Sequence, residues 1–369
     1  MEIVQTENQD DDLTAIFSAP IDKVNIQERL SDLLKGKIIV IFGGTGSWGS
    51  ELIRQLISDY DPKEIRVFSR GEHSQVALRS RYMKATNIKY IIGDVRDSSR
   101  VGMAITGANI VFNLAALKHV PVCEENVWEA IQTNVIGAQN IVEACLEAGV
   151  EVAVQVSTDK AVDPFNLYGF TKGCAEKLFT SANNSPIRKQ NSKFVCVRGG
   201  NVLSTNGSVV PLFKTLIQKF NKVTITDAKM SRYLMRVEEA IKLVLKASVE
   251  AIGGEIYVMK MPGCQIVDLA QVLIDKVGNQ DTKIENIGIR PGEKLYEVLI
   301  SKNESHRAVE DGDYFVILPD FYHRSFDREK YSKNQKVEEG EYNSKNTKQL
   351  NQEEILKLLE DDGWITKEK

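Results

Sequence analysis

From Lys37 the chain alternates short apolar runs with helical patterns, and this rhythm constrains its fold more than any other feature. "KIIVIFG" precedes "GSELIRQLISDY", "EIRVFSR" precedes a mixed helix around "HSQVALRSRYMK", and "IKYIIGD" precedes a short helix. "ANIVFNLAA" leads into a long helix through "IGAQNIVEACLEAG", and "VEVAVQVST", another helix and "KFVCVRGGN" complete the series. Runs that are apolar throughout suit strands buried on both faces, and helices between them imply parallel crossovers. Those crossovers are right-handed, so the rhythm predicts an α/β protein with a doubly wound parallel sheet.

After Asn201 the pattern breaks into shorter pieces, "SVVPLFKTLIQKF", "VTITD", "EEAIKLVLKAS", "EIYVMK" and "IVDLAQVLIDKVG". They predict a second, smaller α/β lobe woven into the first. The expected division is an N-terminal extension (1–36), the main part of a dinucleotide-binding domain (37–200), a substrate lobe interwoven with the last elements of that domain (201–325) and a charged tail (326–369) ending in a helix at "NQEEILKLLEDDG". In the extension, Val24, Ile26, Leu30, Leu33 and Leu34 suit an amphipathic helix that ends at Gly36 and packs on the domain or on another subunit.

"IFGGTGSWG" follows the first strand and opens the first helix. Gly43 turns the chain, Gly46 lets backbone approach a pyrophosphate, and Gly49 permits close helix–sheet packing. With Thr45, Ser47 and Trp48 between them they predict a phosphate-binding turn at a helix N-terminus. The second strand ends in Ser69 and Arg70, which suit the 2′-phosphate of NADP; Glu72 nearby is the alternative, serving NAD. Asp94 of "GDVRD" is placed to accept from an adenine amino group.

Tyr168 and Lys172 fit Y-x-x-x-K at the start of a helix, so their side chains share one face. A lysine cation near a phenol lowers its pKa, and the phenolate can then take a proton from a substrate hydroxyl while hydride leaves to a nicotinamide. Thr158, at the end of the preceding strand, would hydrogen-bond the same oxygen. Simple hydride transfer has no use for the adjacent Asp159 and Lys160. They offer an additional acid and base.

Composition narrows the partners. A formal net charge of −4 gives no footprint for nucleic acid or an anionic membrane surface. No apolar run approaches the roughly 18 residues of a membrane helix. Five cysteines form no C-x-x-C pair and read as buried free thiols, which suits a cytoplasmic protein; four scattered histidines give no support for a metal site.

"GGTGSWG", "GDVRD", "AALKHVP", "STDKAVDPFNLYGFTK", "EKLFTSANN", "GSVVPLF", "RPGEKLYEV" and "EGEYNSKNT" together resemble an extended short-chain dehydrogenase/reductase. More closely, they resemble the inverting UDP-N-acetylglucosamine 4,6-dehydratases of the pseudaminic acid branch, lyases of polysaccharide biosynthesis with a Rossmann domain. The resemblance implies a recycled, tightly bound NADP, a UDP-sugar substrate and a homo-oligomer of two to six subunits. It assigns Lys160 as the base at C5, partly neutral, and Asp159 as the protonated acid at the C6 hydroxyl. Lys118 would touch cofactor and sugar, Asn201 the substrate, Arg290 and Glu293 the UDP, and Arg232 a phosphate. Val95, Ala115, Ala116 and Asn134 would complete the cofactor contacts. Four places depart from the pattern: Gly199 for an aromatic, Asn206 for an arginine, Gly71 for an aspartate, and Asn113-Leu114 for His-Ala. A C4 epimerase or reductase of the same fold, and a non-catalytic NADP sensor, are the competing readings. The first leaves Asp159 and Lys160 without a task, and the second has no use for a phenolate.

Overall fold

In a computed structural model of the chain, residues 23–203, 208–322, 326–327 and 329–366 are described. Residues 1–22 of the extension, and the departure at Asn206, lie outside them. Six parallel strands, β1 (Ile38–Phe42), β2 (Glu64–Ser69), β3 (Ile88–Ile92), β4 (Ile110–Asn113), β5 (Val152–Thr158) and β6 (Lys193–Gly199), run in the order β3-β2-β1-β4-β5-β6. Helices Ser47–Asp59, Glu72–Arg81, Ser98–Ile105, Gly137–Ala148 and Leu167–Ala182 connect them. Ile39, Val40, Ile41 and Phe42 of β1, and Ile110, Val111 and Phe112 of β4, have no exposure at all, which is why these strands read as unbroken apolar runs.

The chain leaves this sheet after β6 through β7 (Asn201–Val202), β8 (Lys222–Ile225) and β9 (Ser231–Met235), and returns in β10 (Ile256–Met259), parallel to β6. After β11 (Gly263–Gln265), β12 (Lys283–Asn286) and β13 (Val298–Ile300), a hairpin of β14 (Ala308–Asp311) and β15 (Tyr314–Ile317) adds two antiparallel strands and completes nine. The smaller lobe holds a three-stranded sheet β11-β9-β7, the pair β12-β8 and the pair of β13 with β16 (Tyr342–Asn343). Its separate core joins Phe213, Ile217, Leu269 and Leu273 to Ile355 and Leu359 of the helix Gln352–Asp361. Tail residues serve both cores, since Phe326 and Tyr331 pack into the main one.

In the extension a helix spans Lys23–Leu34; it buries Leu30 and Leu34 against the main core, and Arg29 pairs with Glu250 at 3.4 Å. Packing on the domain is therefore the outcome for this helix. Cys123, Cys145, Cys196 and Cys264 are buried, but Cys174 is exposed on the helix Leu167–Ala182, a correction to the reading of buried thiols. Among the described residues no helix is long and apolar enough to cross a membrane.

Candidate active site

Between β1 and β4 the connections part to opposite sides, and ligands of doubly wound sheets bind beyond the strand ends at such a point. A cleft of about 650 Å³ opens there. After β1 it is lined by Gly43, Thr45, Gly46, Ser47, Trp48 and Gly49, and after β2 and β3 by Ser69, Arg70, Gly71 and Val95. The β4 end contributes Leu114, Ala115, Ala116 and Lys118; the β5 end contributes Thr158, Asp159 and Lys160; Tyr168, Lys172, Gly199 and Asn201 close it.

The glycine turn fits a dinucleotide. Gly43 has φ +76°, and a Cβ there would lie 2.8 Å from the Ala115 nitrogen. A Cβ on Gly49 would lie 2.5 Å from Gly44 Cα, so only glycine lets the helix Ser47–Asp59 close on the loop and direct its N-terminus at the cleft. Ser69 Oγ accepts a 3.0 Å bond from Gln75. Arg70 is half exposed, with Nη1 4.0 Å from Asp94 Oδ2.

Five expected contacts fall beside the cleft lining, each with a visible employment. Asp94 accepts from the Arg96 side chain at 2.7 and 3.0 Å; burial works against its charge, but Arg96 prevails and holds its pKa low. Asn134 sits in a π-helical turn, Gln132–Ile136, and exchanges two bonds of 2.8 and 2.9 Å with the Leu117 backbone. It shapes the cleft wall indirectly. Arg232 donates to the carbonyls of Ser231 at 2.7 Å and Lys294 at 2.9 Å, and its Nε lies 3.5 Å from Glu297. Arg290 is exposed and faces Glu293 at 3.8 Å. Thus the structure does not bring Asp94, Asn134, Arg232, Arg290 or Glu293 into the lining.

At the β5 end the polar groups crowd together. Thr158 Oγ1 donates to Asp159 Oδ1 at 2.7 Å, and Lys160 Nζ donates to the same oxygen at 3.1 Å. Asn166 caps the helix Leu167–Ala182 by accepting from Gly169 N at 2.9 Å, and its amide donates to the Gly292 carbonyl, also at 2.9 Å. That tie draws the "RPGEK" loop against the start of the Tyr168 helix. Burial, with the charge of Glu297, pushes the Asp159 pKa up. Thr133 Oγ1, Ser157 Oγ, Asp159 Oδ2 and Asn201 Oδ1 are buried without a partner in the protein, and all four residues line this cleft. Unpaired buried polar atoms are rare and mark a place where a ligand completes the bonding.

Two electrostatic expectations are corrected. Lys160 is not partly neutral: burial lowers its pKa, but Asp159 and Glu297, at 3.1 and 3.0 Å, outweigh burial and raise it above the ordinary lysine range. Burial pushes the Tyr168 phenol up to about 12, and the leading cation that opposes this is Lys160 rather than Lys172. Lys172 is buried, donates to the Val156 carbonyl at 2.6 Å, and burial lowers its pKa to about 8. Glu297 escaped the sequence reading, although it sits inside the quoted "RPGEKLYEV"; two cations and a carboxylate meeting from separate segments leave no periodic signal.

Fold and cleft together define an extended short-chain dehydrogenase/reductase. A family model described as polysaccharide biosynthesis protein matches residues 39–319, and the chain belongs to that family. The inverting UDP-N-acetylglucosamine 4,6-dehydratase of Campylobacter jejuni strain 81-176 is 41% identical over 337 residues, covering 89% of this chain and 98% of the relative. The UDP-glucose 4-epimerase of Rickettsia canadensis is 40% identical over 328 residues, covering 88% and 95%. Among solved structures, Pen from Bacillus thuringiensis superposes with a TM-score of 0.82 at 38% identity, covering 89% of this chain and 99% of Pen.

Proposed function

We propose that the chain is an NADP-dependent UDP-N-acetylglucosamine 4,6-dehydratase that inverts C5 and yields a UDP-2-acetamido-2,6-dideoxy-L-arabino-hex-4-ulose. The observation that carries this reading is the Asp159–Lys160 pair beside Thr158, Tyr168 and Lys172 on one cleft wall. Bound NADP would accept hydride from C4 and return it to C6. Tyr168 acts as its phenolate, the form that the Lys160 charge and Thr158 favour against burial, and takes the proton of the C4 hydroxyl, with Lys172 tied to the Val156 backbone beside it. The ketone at C4 makes the C5 hydrogen acidic; Lys160 removes that proton, Asp159 gives its own to the C6 hydroxyl so that water leaves, and as hydride reaches C6 a proton enters C5 from the opposite face, which completes the inversion. Base and acid arise from the observed arrangement by moving one proton along the 3.1 Å bond from Lys160 Nζ to Asp159 Oδ1. The raised Asp159 pKa supports this order.

Ser69 and Arg70 support NADP over NAD. Lys118 and Asn201 are the substrate contacts we favour, with Arg290 and Glu293 at the rim for the diphosphate and ribose. Val122, Val127, Trp128, Phe165 and Phe170 are exposed apolar side chains. They support a homo-oligomer, and a nucleotide-sugar substrate with free thiols suits the cytoplasm.

The second reading is a C4 epimerase, favoured by the Rickettsia relative. Incubation with UDP-N-acetylglucosamine in deuterated water separates the two by mass spectrometry and proton NMR. The dehydratase gives loss of water, a new C6 methyl and deuterium at C5. A C4 epimer with no loss of water rejects the roles given to Asp159 and Lys160.

A further inference from the structure

We propose that Glu297 is a positioning residue for Lys160, its buried carboxylate fixing the lysine beside Asp159 and balancing the charge Lys160 gains when it takes a proton. Glu297 precedes β13, and β13 packs against the 3-10 turn Asp159–Ala161. The side chain is 2% exposed, with Oε1 3.0 Å from Lys160 Nζ and 3.5 Å from Arg232 Nε.

Its backbone is fixed as firmly. Glu297 N donates to Ser344 Oγ at 3.0 Å, and Ser344 N donates to the Glu297 carbonyl at 2.8 Å. Ser344 Oγ lies 2.9 Å from Ser231 Oγ. A residue of the C-terminal tail therefore sets where the carboxylate stands.

Charge explains why such an arrangement suits an acid and base. Asp159, Lys160, Arg232 and Glu297 face one another with two negative and two positive charges. Moving a proton from Lys160 to Asp159 leaves Glu297 balanced by Arg232, so the cluster is electroneutral before and after. A buried cluster that never carries net charge avoids the large desolvation cost of an unpaired ion. The other groups facing Glu297 are Lys294, whose Nζ donates to the carbonyls of Val162 and Asp163, and the buried hydroxyl of Tyr233. Burial disfavours the Glu297 carboxylate, yet Lys160 and Arg232 lower its pKa and keep it charged.

The negative charge raises the proton affinity of both Lys160 and Asp159. Glu297→Gln keeps the shape and removes the charge, so both limbs of the pH profile of kcat move to lower pH, by about one unit or more. The same variant loses about 10- to 100-fold in kcat with KM little changed, because Glu297 does not line the cleft. Glu297→Asp keeps the charge and therefore the wild-type profile, at a lower rate. A fall in kcat with an unmoved profile in Glu297→Gln identifies a merely structural residue and overturns the proposal.

The catalytic effect rests on the dehydratase reading, so a second readout avoids turnover. Lys160 reaches the cleft surface with 23% of its side chain exposed, and competitive acetylation across pH followed by peptide mass spectrometry reports its own titration. Its midpoint moves down by about one unit or more in Glu297→Gln and stays near wild type in Glu297→Asp. An identical midpoint in wild type and Glu297→Gln overturns the proposal even if sugar dehydration is confirmed. Absence of any dehydration by wild type rejects the functional reading, while the acetylation midpoints still decide the role of Glu297.

Discussion

The Trp48 ring occupies the space a side chain on Gly199 would need: a Cβ there would lie 2.7 Å from Cη2 and 3.0 Å from Cζ2. Gly199 is one of the places where the sequence departs from the pattern it resembles. Gly199→Phe forces the two rings together, and overpacking of this kind costs about 1–3 kcal/mol. The expected result is at least a tenfold loss of bound dinucleotide or of turnover, read by absorbance of the purified protein and by product formation. Trp48→Ala combined with Gly199→Phe recovers much of the loss. A double variant no better than Gly199→Phe alone shows that the loss does not come from the clash with the Trp48 ring.

Lys172 trades stability for chemistry. Burial holds its folded pKa near 8 against the ordinary lysine value of 10.5, so the unfolded chain binds the proton more tightly. The resulting penalty is complete below pH about 8 and disappears as pH rises toward the unfolded value of about 10.5. Lys172→Met removes a buried charge, and Val156 O retains the donor of Gln155 at 2.9 Å. The variant is expected to be more stable at pH 7 by about 2–3 kcal/mol, to lose that advantage between pH about 8 and 10, and to be nearly inactive. Denaturant titrations at several pH values check it; a destabilised variant at pH 7 sinks the argument.

How much of this was visible before folding differs sharply between the two halves. The central strands β1 and β4 were legible because both faces are buried, leaving "IIVIF" and "IVF" without polar interruption. The hairpin β14–β15 was missed, although the Gly-Asp of "VEDGDYFV" is its two-residue turn. Phosphate-turn residues were legible because glycine spacing reports local geometry. The protonation of Lys160 was not, because its partner Glu297 arrives from a distant strand whose place is fixed by Ser344 in the tail. Arg232 illustrates the same limit: three carbonyls and one carboxylate had claimed its guanidinium before any phosphate could.

The NADP reading rests on Arg70. Asp94 is already held by Arg96, so the Arg70 fork, half exposed at the end of β2, is available to a 2′-phosphate. Arg70→Ala is expected to weaken NADP binding about 10- to 100-fold and NAD binding less than about threefold. Isothermal titration of protein stripped of nucleotide measures both. Equal losses for the two dinucleotides indicate that Arg70 packs against the adenosine and reads no phosphate.

Away from the cleft, Glu304 ties the β6 strand to the segment after β13. Its carboxylate accepts from Arg198 at 2.7 and 2.8 Å, and Arg198 also binds Glu176 at 2.8 and 2.9 Å. Burial opposes the Glu304 charge, yet Arg198 and the Ser301 backbone hold its pKa at about 2 against 4.5. A folded pKa below the unfolded one stabilises the fold above the unfolded value, and the contribution is lost as pH falls through the folded one. The window therefore runs from about pH 4.5 down to about 2. Within it the wild type loses roughly 3 kcal/mol from this group alone. Glu304→Gln is expected to be less stable than wild type by about 3 kcal/mol at pH 7, with the gap closing through that window. Urea unfolding followed by tryptophan fluorescence at pH 7, 5, 4 and 3 gives the gap directly, and a gap that does not narrow below pH 4.5 shows that the loss comes from packing instead of charge.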